Sequence, residues 1–123
     1  MLDWSSAPLS EGLACYRRAQ FFEAHEHWEL VWLTLNEPEK SFLQALVQVT
    51  AAMHHLHKGN NVGAASLLRR SLKRLSQCAS EFGGINVEPL RHELTSVLEA
   101  IGGRAHPGEI IPPNIQPTDA QPE

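Results

Sequence analysis

The stretch from Phe42 to Leu56, FLQALVQVTAAMHHL, constrains the fold more than any other part of the chain. Wound as a helix at about 100° per residue, its Leu43, Leu46, Val47, Val49, Met53 and Leu56 cover most of the circumference. A helix with so much apolar surface must be packed on several sides, which puts it at the centre of a bundle. One stripe differs. Gln44, Gln48 and His55 fall within about 40° of each other, with Ala51 and Ala52 alongside to let a neighbouring helix approach closely. Polar groups in such a position need partners.

Turn and cap signals divide the chain into five helices. Leu9 and Ser10 read as staple and N-cap of a first helix running to about Arg18, with Glu11 in its first turn. A second runs from about Gln20 to Leu35 and stops at Asn36-Glu37-Pro38, because the residue before a proline is pushed out of the helical region. The central helix spans about Glu39 to Lys58, and Gly59-Asn60 suit a left-handed C-terminal cap. Asn61 caps a fourth helix to about Glu81, which Gly83-Gly84 break. Asn86 caps a fifth, with Leu90, Leu94, Val97, Leu98 and Ile101 as its buried stripe, and Gly102-Gly103 end it.

No run alternates apolar and polar residues, so no strand is expected. The expected class is all-α: a compact bundle of about five helices in antiparallel hairpins. The third and fourth helices are partly tetratricopeptide-like, without the full repeat signature. Residues 1–8 read as an N-terminal extension whose Trp4 is either an exposed anchor or folds back on the bundle. Residues 9–102 form a single helical domain, and 103–123 a proline-rich extended tail that carries five of the eight prolines after Arg104. Ile110, Ile111 and Ile115 are spaced to dock that tail as a strap, with mobility expected beyond Pro117.

A chain of 123 residues supports one modest core. No apolar run approaches the roughly 20 residues needed to cross a bilayer. MLDWSSAPLS lacks the basic start and apolar stretch of a secretory signal. Cys15 and Cys78 match no metal or redox spacing and read as reduced thiols, which suits a cytoplasmic protein. The net charge of −4 argues against a general nucleic-acid binder, but it is spread unevenly. Residues 1–39 sum to −5, whereas residues 40–80 hold six bases and no acid. Such asymmetry can steer a partner or let one part of the fold complement another, and the second is the simpler reading.

FFEAHEHWELVW, residues 21–32, packs four large aromatics, two histidines and three glutamates into one helix. With His25 at zero on the wheel, Phe21 and Trp32 lie within about 40° on one side, and Phe22 and Glu29 within about 60° on the other. Trp28 and Leu35 widen the same face, Glu23 and His27 point away, and Glu26 lies on the flank. This reading embeds His25 and Glu29 among bulky apolar side chains, where a charge is costly unless paired. They are then expected to face Gln44, Gln48 and His55 across a helix contact walled by Phe22, Trp28 and Trp32. The simpler role for the cluster is a satisfied network that fixes helix register. The functional role is a ligand pocket, or a metal site with His25, Glu29 and His55 as candidate ligands.

Sharper catalytic motifs are absent. AHEHWE lacks the second histidine of a zinc-protease helix, and no histidine follows a glutamate at the spacing of a di-iron bundle. GNNVG lacks the lysine and spacing of a phosphate loop, and no serine or cysteine sits in a nucleophile elbow. The histidines of HHLHKGN diverge around the helix, as surface or capping groups do. Arg69, Arg70, Lys73 and Arg74, around Ser66 and Gln77, form a candidate anion face on the fourth helix. The same pattern describes an ordinary solvated face, and no aromatic interleaving accompanies it.

FFEAHEHWELVW, FLQALVQVTAAMHHLHKGN and the leucine-rich helix after GNNVGAASLL resemble the family called domain of unknown function 309, over about residues 10–102. FFEAHE with a tryptophan downstream, and QxxxQ with a histidine before KGN, carry the likeness. The resemblance implies a compact all-α fold with no assigned activity. It singles out Phe22, His25, Glu26, Trp32, Gln44, Gln48 and His55, and Glu26 enters the set through it alone. The expected function is an interaction, scaffold or small-ligand-binding module, with a protein partner or self-association as a homodimer and no cofactor. A metal-dependent hydrolase using His25 and Glu29 is the alternative, and anion or RNA binding along the fourth helix is the second.

Overall fold

A computed structural model describes residues 2–103 and 109–118. The elements are α1 (Leu9–Arg17), α2 (Phe21–Trp32), α3 (Glu39–His57), α4 (Asn61–Leu75), β1 (Glu81–Phe82), β2 (Ile85–Asn86) and α5 (Val87–Gly102). The class is all-α as the periodicity implies, with the two short strands as its one addition among the described residues. Leu43, Ala45, Leu46, Val49 and Ala52 are completely shielded, so α3 is the central helix. It packs against α2 on one side and α4 on the other, while α1 lies on α2 and α5 on α4. The α3–α4 pair is antiparallel, and its small residues meet: the Ser71 hydroxyl donates to the Ala45 carbonyl at 3.0 Å. Among the described residues no helix is long and apolar enough to cross a membrane.

Several helix ends differ from the sequence reading, each for a local reason. α1 begins at Leu9 with Pro8, not Ser10, at its N-cap. A proline there lacks only an N–H that would have no helical partner anyway. α1 then closes through Ala19 at φ +60, which lets the Gln20 N–H donate to the Cys15 carbonyl at 2.8 Å. α2 ends at Trp32 rather than Leu35, and the Thr34 hydroxyl donates to the Val31 carbonyl at 2.7 Å, in competition with a continued helix.

The largest difference is at α4, which stops at Leu75 instead of Glu81. A guanidinium from α5 ends it. Arg91 donates to the Leu75 carbonyl at 2.6 Å and to the Cys78 carbonyl at 3.0 Å, satisfying groups that a helix end leaves free. The chain then forms a hairpin in which Glu81 pairs with Asn86 and Phe82 with Ile85. Gly83 and Gly84 turn it at φ +59 and +78, a primed-turn geometry that glycine adopts without strain.

Both ends of the described chain join this bundle. Trp4 folds back, 6% exposed, donating its indole Nε1–H to the Gly83 carbonyl at 2.7 Å and meeting Trp28 edge-on at 5.6 Å. The tail docks as a strap through Ile110 and Ile115, but Ile111 is 83% exposed and contributes nothing to the docking. The Tyr16 hydroxyl donates to the Pro113 carbonyl, the Asn86 N–H to Gln116, and Ile85 bridges to Pro117. The segment expected to be mobile beyond Pro117 lies, after Thr118, outside the described residues.

Candidate functional site

The cluster expected between α2 and α3 does not assemble. α2 turns Phe21, Ala24 and Trp28 inward, so its buried face is centred about 70° away from His25. Trp28 decides the rotation. It is 0% exposed, donates to the Leu9 carbonyl at 3.1 Å and stacks on Tyr16. Phe22, taken as a wall of the cluster, is 55% exposed instead, and its ring meets His54. Glu26 and Glu29 are exposed and His25 is half-buried.

His55 is engaged elsewhere. Its Nδ1 takes the Asn60 amide at 3.2 Å, while the Asn60 Oδ1 accepts from the Gly63 N–H and caps α4. His27, placed towards solvent by the wheel, lies 3.7 Å from Glu11 on α1. Among the described residues no group of three or more His, Cys, Asp or Glu side chains is placed to hold a metal ion. His25, Glu29 and His55 therefore do not form the convergent set that a metal-dependent hydrolase requires.

What does assemble is a groove between α3 and α4. Ser41, Gln44 and Gln48 lie one helical turn apart along α3, and Arg70, Lys73, Arg74 and Gln77 repeat at the same spacing along the α4 side. Ser41, Gln48, Arg70, Lys73, Arg74 and Gln77 line an open recess of about 320 Å³. A smaller recess of about 160 Å³ adjoins it, lined by Trp32, Glu37, Lys40, Ser41, Gln44 and Arg74. Arg69 lines neither one, so the anion face read from the sequence divides here.

The groove is positive and incompletely satisfied. Arg70, Lys73 and Arg74 take part in no ion pair among the described residues. Gln48 is 7% exposed, yet its Oε1 has no hydrogen-bond partner. A buried acceptor left unpaired costs about 1–3 kcal/mol. Because an amide can turn its NH₂ to the same place, Gln48 can also offer donors to a ligand. Trp32 likewise has a shielded, unpartnered Nε1, and the Lys40 ammonium sits 4.6 Å from its ring centre. Glu37 is the one carboxylate along the two recesses. The side chain and the N–H of Ser41 hold its pKa below the ordinary carboxylate value, with lesser help from Arg74 and Lys40. The sequence reading missed Glu37, Lys40 and Ser41. Gln44 and Gln48 were named from their spacing, but Glu37 joins through the loop after α2, which no helical wheel represents, and Lys40 from the first turn of α3.

The fold and the groove define a small helical-bundle protein with a basic, polar slot between its two longest-packed helices. Over residues 9–67 the chain matches the family described as Domain of unknown function (DUF309). The match bears out the resemblance seen in FFEAHE and the central helix, and it ends before Arg70. The chain is also similar to an uncharacterized protein of Aquifex aeolicus (strain VF5), with 32% identity over 91 residues. That alignment takes in 73% of this chain but 27% of the relative, so the chain spans about a quarter of the relative's length.

Proposed function

We propose that this domain is a binding module that holds a small anionic ligand in the groove between α3 and α4. The observation that carries the reading is Gln48, buried with an unpartnered Oε1 on the wall of a groove whose three cations take part in no ion pair among the described residues. A phosphate or carboxylate would accept from Arg70, Lys73 and Arg74 in charge-assisted hydrogen bonds, the stronger class of such bonds. The reading is one of recognition, since the charged side chains lining the larger recess are all hydrogen-bond donors.

Titration of ¹⁵N-labelled protein with sodium phosphate at constant ionic strength tests the reading. Amide shifts confined to residues 41–48 and 70–77 are expected. Arg70→Ala and Arg74→Ala should each weaken binding roughly tenfold, the equivalent of one charge-assisted bond. Shifts scattered over the surface, or a response to RNA oligonucleotides but not to phosphate, would overturn it.

A further inference from the structure

We infer that the ligand is a small phosphate monoester with a hydroxyl-bearing body, a sugar phosphate. Its phosphate lies among Arg70, Lys73 and Arg74, and its body in the adjoining recess beside Trp32, Glu37 and Gln44. This assignment rests on the anion-binding reading of the groove and adds the identity of the part that is not the anion.

The two recesses share Ser41 and Arg74, so one molecule can occupy both. Their linings differ in kind. The larger has three cations and no carboxylate, which suits a phosphate. The smaller sets Glu37 among donors, and a second anionic group there would meet a like charge. Hydroxyls suit that mixture. One donates to the Glu37 carboxylate, and its oxygen accepts from the Gln44 amide or the indole Nε1–H of Trp32. The shielded Nε1 gains the acceptor it lacks within the chain. A heterocyclic base is less well served, because the Lys40 ammonium already covers one face of the Trp32 ring.

The experiment compares inorganic phosphate, ribose 5-phosphate, ribose and adenosine monophosphate on the intact chain, read by the same amide shifts. Ribose 5-phosphate is expected to bind at least about tenfold more tightly than phosphate, the worth of one or two added hydrogen bonds. Gln44→Ala should abolish that advantage while leaving phosphate affinity unchanged. Trp32→Phe, which keeps an aromatic ring and removes the N–H, should reduce it.

Equal affinity for phosphate and ribose 5-phosphate would overturn the sugar assignment and leave the anion site standing. So would an advantage that survives both substitutions, which would put the body elsewhere. Tighter binding of adenosine monophosphate than of ribose 5-phosphate would replace the sugar body with an aromatic one. No response to any phosphate would overturn the anion site as well.

Discussion

Among the described glycines, Gly12 is the one where an added side chain would meet its nearest atom at the shortest distance. A Cβ added there would lie 2.3 Å from the Nε1 of Trp28 and 2.5 Å from its Cδ1. That indole cannot swing aside cheaply, being tied to the Leu9 carbonyl and wedged between Tyr16 and Trp4. Alanine would gain up to about 1 kcal/mol of helix propensity over glycine, but overpacking a well-filled core costs about 1–3 kcal/mol. The clash wins, because relieving it also breaks a buried hydrogen bond. Gly12→Ala should therefore lower the thermal midpoint by several degrees in a circular-dichroism melt. An unchanged or raised midpoint would mean that the indole repacks freely. Trp28 also explains why the sequence misplaced His25. Four aromatics on one short helix cannot all be buried, and periodicity alone offered no way to see that Phe22 would be left out.

Elements were legible where their own residues end them and illegible where a distant residue does. α3 stands as read, between Pro38 and Lys58, because its apolar circumference and its flanking signals are local. The end of α4 is set by Arg91, and the hairpin by Phe82 packing on Phe42. Neither leaves a mark in the periodicity of residues 61–86.

The strap behaves the same way, held by Tyr16 from α1 and by the Glu93 carboxylate accepting from the Asn114 N–H. Burial, and secondarily the charge of Glu93, push the Tyr16 phenol above its ordinary pKa. The unfolded chain then loses the phenolic proton before the folded one does. The stability this confers is complete below about pH 10, where a free phenol ionises, and declines as pH rises beyond it. Urea unfolding followed across that range should show a steeper alkaline loss in the wild type than in Tyr16→Phe. Parallel curves would mean that the hydroxyl stays wet.

At the scale of the whole molecule, the six bases between residues 40 and 80 were read as a complement to the acidic N-terminal third. The only ion pairs among the described residues are His27–Glu11, Arg91–Glu88 and His92–Glu88, and none draws on those bases. Four of them, Lys40, Arg70, Lys73 and Arg74, line the two recesses. Phosphate affinity should accordingly fall several-fold when salt is raised from about 0.05 to 0.5 M, as the screening length shrinks to within a few ångströms. An affinity indifferent to salt would show that the contact is not ionic. The candidate site was thus half legible. Gln44, Gln48, Arg70, Lys73 and Arg74 were all named from their spacing, but on two separate helices. Only the close approach of Ala45 and Ser71 brings them onto one wall.

The turn at Gly83–Gly84 is gripped from both directions along the chain, by the Trp4 indole on Gly83 and by the Thr118 N–H on Gly84 at 2.9 Å. The stretches around Trp4 and Thr118 therefore meet at one spot on the bundle. A domain wired in that way adds almost no span to a chain it interrupts, so it can be spliced into a surface loop of a larger protein without prising the host apart. In such a host, the pair of leads would emerge beside the hairpin.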